Sequence, residues 1–541
     1  MGERTNQETW QSIAARKQVE RASRIPPEWL IPDGLMPSGS EDCVQDIPYK
    51  SGFFGDRELL ITNSTASDVV SKISTGEWSA LEVTRAACKR AACKRAAVAQ
   101  QLLNCVTEIY FEQAVSRAAE LDDYFKTKGG PVGPLHGLPI SLKDQFNLEG
   151  VDSTIRYVRW ARKKPREEST LVKLLRDAGA VLYVKTNVPT TLMTGETVNN
   201  LFSRTLNPRN RKLTTGGSSG GESALVSFRR SFIGVGTDIG GSIRHPASYT
   251  GLYALRPSHG RVSYQQVTNT FLGQEAVKSC AGPMCRSPRD IQLFMKSLVT
   301  QKPWEYDPQI IPMPWRSEAE ALLEKLCFGF GMGDGYVTPS PPLRRAIEIA
   351  KDKLHGAGHS CIDFTPYEMW LADGAEEIRR DSGLTGEPLP PSVEAIYGHS
   401  NILLEPLSVF STWQNQQRRA ILAQKFLERW QKTAESTGTG RPIDGLIMPS
   451  TPNYGVLSPL LDLTTGVFPV TRVDPKQDVI PDDWKPISDK EKEVMEFYDR
   501  PENHENALIG LALIGRRLEE EKVAAMLVVM ENVVGFNEDK M

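Results

Sequence analysis

The chain has 541 residues, of which 40% are hydrophobic and 24% charged, and a formal net charge of −3. This is close to the globular average and supports a sizeable core. It lacks the basic excess that nucleic acid or an anionic membrane would attract. Eight cysteines, among them Cys88, Cys93, Cys280 and Cys285, form no Cys-x-x-Cys pair and have no histidines at zinc spacing. The expectation is therefore no bound metal and reduced thiols in a cytoplasmic protein.

The first predicted element is a polar helix over 7–24, ended by Pro26-Pro27. Residues 25–62 read as loop-rich. Ser64 or Thr65 caps a short helix over 66–75, and after a turn at Gly76 a long helix covers 80–102. Inside that helix Arg85-Ala86-Ala87-Cys88-Lys89 recurs as Arg90-Ala91-Ala92-Cys93-Lys94, a five-residue tandem duplication. Five residues turn a helix through about 500°, which sets the flanking faces roughly 140° out of register. The alanine-rich composition favours a tolerated extension of the helix.

An apolar run from Asn104 to Tyr110 has strand character, and a helix over 111–127 follows, ended by Gly129-Gly130. A strand from Leu138 to Leu142 delivers Lys143 at its end. Helix 170–178 then leads through Gly179 to a strand from Val181 to Thr186. Strand Leu326 to Phe330, helix 342–356 and strand Cys361 to Phe364 form a further unit. This alternation predicts an α/β class with a largely parallel sheet, in which functional groups gather at the carboxyl ends of strands. The N-terminus is polar without an apolar signal core, and the run Val523 to Met530 is too short to span a bilayer.

Two glycine-rich segments carry the chemistry: Thr215-Gly216-Gly217-Ser218-Ser219-Gly220-Gly221-Glu222 and Gly236-Thr237-Asp238-Ile239-Gly240-Gly241-Ser242-Ile243-Arg244. Each sets a serine among residues without side chains, so backbone N–H groups can face a developing negative charge. Neither ends in the Gly-Lys-Ser/Thr of a phosphate loop, and Gly329 to Asp334 fails the dinucleotide pattern. Gly216 to Gly220 also satisfies G-x-S-x-G, but no buried strand precedes it, as a nucleophile elbow requires.

Together with Pro134 to Asp144, these segments resemble the amidase signature family, and within it the fungal acetamidase-like enzymes. Ser218 and Ser242 lie 24 residues apart, which fits the family. The resemblance covers about Trp10 to Val534. It implies an N-terminal arm (1–62) packed on one large domain (63–541), with a mixed, mostly parallel β-sheet covered by helices on both faces. It also implies hydrolysis of a carboxamide to a carboxylate and ammonia, small aliphatic amides being the default substrates. Ser242 would be the nucleophile and Lys143 the base. Ser218, on a cis peptide, would bridge them. The N–H groups of Ile239, Gly240, Gly241 and Ser242 would form the oxyanion hole, with Gly217, Ser219, Thr237, Asp238 and Arg244 in support. No cofactor is implied. The partner is a small-molecule amide, and a homodimer is left open.

For Lys143 to act as a base, its pKa must fall by roughly 3 units, which burial can achieve. Asp144 would oppose that fall and is expected to face the other way. Besides Thr215, two residues and one segment depart from the family pattern. His245 stands where relatives carry an apolar residue and reads as a neutral packed histidine. Arg230 replaces a small residue and is expected on the surface. Only Asn453 to Pro459 separate two stretches that are further apart in relatives. Tailoring of a specialised metabolite, a binding protein of the same fold and an amidotransferase subunit are the competing functions.

Overall fold

The computed structural model describes residues 8–31, 36, 43–50, 55–88, 93–332, 337–364, 408–451 and 455–536. Eleven strands among these residues form one sheet: β1 (Val106–Ile109), β2 (Pro139–Lys143), β3 (Val181–Thr186), β4 (Ile233–Asp238), β5 (Tyr253–Arg256), β6 (Cys280–Cys285), β7 (Cys327–Phe330), β8 (Ser360–Asp363), β9 (Gly445–Pro449), β10 (Thr465–Arg472) and β11 (Leu508–Ile514). Their order is β1-β3-β2-β4-β6-β5-β10-β11-β9-β7-β8, and helices cover both faces.

The sheet is mixed as expected, but its larger part is not parallel. Parallel pairing is limited to β3-β2-β4 and β9-β7-β8. The pairs from β4 through β6, β5, β10 and β11 to β9 are antiparallel, as is β1 with β3. The expectation of a largely parallel sheet rested on the alternating units. Strands β5, β6, β10 and β11, which carry most antiparallel pairs, were not assigned at all.

The foreseen elements sit close to their expected places. The first helix is Trp10–Ser23, with the Thr9 hydroxyl accepting from the Ser12 N–H at 3.3 Å. Thr65 caps Ala66–Ser74 through the Asp68 N–H. Gly129 ends Phe111–Lys128 at φ 74°, where a side chain would be strained. The helix expected over 80–102 is instead Ala80–Cys88 and Cys93–Leu103. Residues 89–92, in the middle of the duplication, lie outside the described residues. Ala86, Ala87, Ala96, Ala97 and Ala99 are buried, so the first copy of the repeat and the helix beyond the second both pack on the core. The stretch read as loop-rich contains a helix, Asp56–Asn63. Arg230 is buried rather than on the surface, with its guanidinium 4.7 Å from the Phe228 ring centroid.

The parallel trio positions the site. Register pairs Lys143 with Thr186 and Leu142 with Val235, so the carboxyl ends of β2, β3 and β4 lie side by side. Every residue of these three strands is buried. Among the described residues, no helix is long and apolar enough to cross a membrane.

Candidate active site

Lys143 is the last residue of β2 and is fully buried. Its Nζ lies 2.7 Å from Ser218 Oγ and 2.8 Å from Thr237 Oγ1, with the Thr237 carbonyl oxygen at 3.5 Å. Loss of hydration penalises the ammonium and pushes its pKa down to about 7, against the smaller attraction of Asp238, Glu222 and Asp144. The carboxylate of Asp144 does turn away. It pairs with Arg156 Nη2 at 3.0 Å and accepts from the N–H groups of Thr154 and Ile155.

Ser218 follows a cis peptide from Gly217. Gly217 has no room for a side chain, since a Cβ there would lie 2.5 Å from the Thr194 carbonyl oxygen. The helix Gly220–Ser227 begins two residues after Ser218 and is buried along its whole length against β4 and β2. Ser219 joins the two glycine-rich segments. Its N–H donates to the Ser242 carbonyl at 3.1 Å and its hydroxyl to the Thr237 carbonyl at 3.3 Å.

β4 supplies Thr237 and Asp238. Asp238 is buried and organises the turn after it. It accepts from the N–H groups of Gly241 at 2.8 Å and Ile243 at 3.1 Å, and from Arg244 Nε at 2.9 Å and Nη2 at 3.0 Å. Burial alone would raise its pKa, but the paired guanidinium outweighs that and holds it well below the usual carboxylate range. The Gly241 N–H, expected at the oxyanion hole, is therefore already engaged. Among the described residues, the N–H groups of Ile239, Gly240 and Ser242 have no such partner. Ile239 and Gly240 are also partly exposed, while Ser242 is 9% exposed.

Arg244 also reaches beyond the turn, with Nη1 donating to the Gly455 carbonyl at 2.6 Å. His245 packs between the same two regions. A Cβ on either Gly241 or Gly455 would run into its ring. Burial, reinforced by Arg244, pushes its pKa down to about 3, so the ring is neutral near pH 7. Residues 452–454 of the short connecting segment lie outside the described residues.

Two neighbours of Lys143 were not singled out from the sequence. Glu222 is fully buried. Its carboxyl oxygens face Ser141 Oγ at 2.5 Å and Thr186 Oγ1 at 2.7 Å, and burial pushes its pKa up to about 8. Gln145 is also fully buried and accepts from the Thr237 hydroxyl at 2.6 Å. Its position two residues after Lys143 was a usable signal, since that spacing returns a side chain to the same side of an extended segment.

Comparison with known proteins identifies the family. The family pattern described as Amidase matches residues 87–373. The chain is 60% identical to kk1C of Curvularia clavata, itself named only as a candidate amidase, over 97% of this chain and 98% of the relative. It is 41% identical to the acetamidase of Emericella nidulans, over 98% and 99%. Among solved structures, fatty acid amide hydrolase superposes with a TM-score of 0.88 at 32% identity, covering 97% of this chain and 95% of the other. The chain thus belongs to the amidase signature family and is an amide-hydrolysing enzyme.

Proposed function

We propose that the enzyme cleaves small aliphatic carboxamides to a carboxylate and ammonia through an acyl-enzyme on Ser242, with Ser218 and Lys143 as its proton relay. The observation that carries this reading is the buried Lys143 amine 2.7 Å from Ser218 Oγ, with a pKa pushed down to about 7. An amine near neutrality at working pH can accept a proton and return it. A free serine hydroxyl is a weak nucleophile without such a base.

In the first step the Ser242 proton passes to Ser218 as the Ser218 proton passes to Lys143, and Ser242 Oγ bonds to the amide carbon. The carbonyl oxygen gains negative charge and is met by the N–H groups of Ile239, Gly240 and Ser242. Such donors contribute roughly 2.7–4 kcal/mol each in a comparable hydrolase. The Lys143 ammonium then returns a proton through Ser218 to the leaving nitrogen as the C–N bond breaks. Water hydrolyses the ester by the reverse relay. The bidentate Asp238–Arg244 pair holds the turn that presents these donors. The preference for small aliphatic amides rests on the acetamidases at 41% and 39% identity.

The test is ammonia release from amides of increasing acyl length, by the wild type and by Ser242→Ala, Ser218→Ala and Lys143→Ala. The expected result is best turnover of the shortest amides, with each variant severely impaired. Turnover of long-chain amides alone would overturn the substrate assignment. An active Ser242→Ala would overturn the mechanism.

A further inference from the structure

Lys143 is useful as a base only if its lone pair faces Ser218, and a buried amine among three oxygens has other choices. The hydrogen bonds beyond it remove them. The chain of constraint starts at the main-chain carbonyl of Thr268, which can only accept. Gln145 Nε2 donates to it at 3.1 Å and to Tyr264 Oη at 2.8 Å. The Gln145 backbone is held there too, since the Thr268 N–H donates to the Gln145 carbonyl at 3.0 Å. With its NH₂ fixed on that side, Gln145 turns its Oε1 to Thr237 Oγ1, 2.6 Å away. An amide oxygen only accepts, so the Thr237 hydroxyl proton is committed to Gln145. The Thr237 oxygen then faces Lys143 Nζ, at 2.8 Å, with lone pairs alone. Neutral Lys143 must donate one N–H there and direct the other towards the Thr237 carbonyl, at 3.5 Å. What remains toward Ser218 is the lone pair.

We propose that Gln145 is a positioning residue that, through the Thr237 hydroxyl, orients the lone pair of Lys143 at Ser218. The arrangement serves both protonation states. Once Lys143 has taken the proton, its three N–H groups meet three acceptors: Ser218 Oγ, Thr237 Oγ1 and the Thr237 carbonyl. Without Gln145 the Thr237 hydroxyl, left with Tyr264 and Lys143 as its neighbours, can rotate and donate into the lone pair, in competition with Ser218. The inference rests on the proposed role of Lys143 as base and deepens it.

The experiment measures the rate of fluorophosphonate labelling of the active-site serine against pH, which needs no known substrate. Gln145→Met keeps an unbranched side chain of similar size and removes the amide. Its labelling rate on the alkaline plateau is expected to fall about tenfold, the worth of one competing hydrogen bond. Its acidic limb is expected to move to lower pH, because the freed hydroxyl stabilises neutral Lys143 and the Gln145 dipole no longer stabilises the ammonium. Simple loosening of the site would do the opposite: admitted water would return the Lys143 pKa upward and move the limb to higher pH. In a Thr237→Val background no hydroxyl is left to orient, so Gln145→Met should cost little more. A limb that moves up, an unchanged plateau, or additive losses in the double variant would each overturn the proposal. Should Gln145→Met not fold, Thr237→Val carries the test: it removes the acceptor that holds one Lys143 N–H away from Ser218, so slower labelling than in the wild type is expected, and labelling at the wild-type rate would overturn the proposal. A Lys143→Ala variant that labels normally would instead refute the base assignment itself.

Discussion

Replacing Lys143 with methionine should make the protein more stable while abolishing its activity. Lys143 is fully buried, and its pKa falls from 10.5 to about 7 because the folded protein cannot hydrate the ammonium. At about 1.36 kcal/mol per pH unit, that fall corresponds to about 5 kcal/mol of folding free energy lost to one side chain. Methionine fills a similar space without charge. The substitution also deprives the Ser218 and Thr237 hydroxyls of a partner each, at about 1 kcal/mol apiece. The net expectation near pH 7 is a gain of about 3 kcal/mol.

The pH dependence gives this prediction its sign. Between about pH 7 and 10.5 the unfolded wild type holds a proton on this lysine that the folded form has released. The unfolded state binds more protons, so wild-type stability rises with pH across that window. At and below pH 7 the penalty is complete. The variant has no such group, so its advantage should be largest at pH 7 or lower and shrink towards pH 10. Apparent melting temperatures of both proteins at pH 6, 7, 8 and 9, at one scan rate, measure this directly. A variant less stable than the wild type at pH 7, or an advantage independent of pH, would refute the reasoning.

Glu222 offers a second stability test with the opposite sign. Its pKa is pushed from 4.5 up to about 8, so wild-type stability falls as pH rises from 4.5 to 8, and the advantage of Glu222→Gln should grow over that range in the same melting assay. Glu222→Ala leaves Ser141 and Thr186 without their partner and should cost about 2–4 kcal/mol near pH 5, a cost that shrinks as pH rises towards 8. Gly241 has φ +125°, and a Cβ there would strike the His245 ring. Gly241→Ala should therefore displace the turn and lower kcat by about 100-fold or more, and a near-normal kcat would show that the turn tolerates the shift. His245 is neutral across the working range, so His245→Phe should leave the pH–rate profile between pH 5 and 9 unchanged, and a shifted limb would show that the imidazole titrates with activity.

Much of the local structure was legible because it follows local rules. Apolar runs bounded by glycine marked β2, β3, β7 and β8 to within a residue or so. Thr65 and Gly129 marked helix ends through capping and left-handed geometry. Two of the strands that went unassigned have sequences unlike a strand. β4 is Ile233-Gly234-Val235-Gly236-Thr237-Asp238, and β6 contains Gly282 and Pro283. Their glycines serve tertiary contact: a Cβ on Gly234 would hit Glu222, and one on Gly282 would hit the Leu255 carbonyl. Such requirements cannot be seen within a short window of sequence. The antiparallel half of the sheet was missed for the same reason, since pairing direction is decided by which distant strand arrives alongside.

The sequence by itself determined which groups are available for chemistry. It supplied two serines on glycine-rich backbone and a lysine at a strand end, because those identities and spacings are covalent facts. Tertiary structure alone decided how those groups behave. It buried Lys143 so that its amine approaches neutrality, turned Asp144 towards Arg156, and engaged the Gly241 N–H with Asp238. It also brought Thr237 from a separate segment to lie between the lysine and Gln145. Hydration, charge proximity and hydrogen-bond direction depend on what surrounds an atom in space, and the chain acquires those surroundings only when it folds.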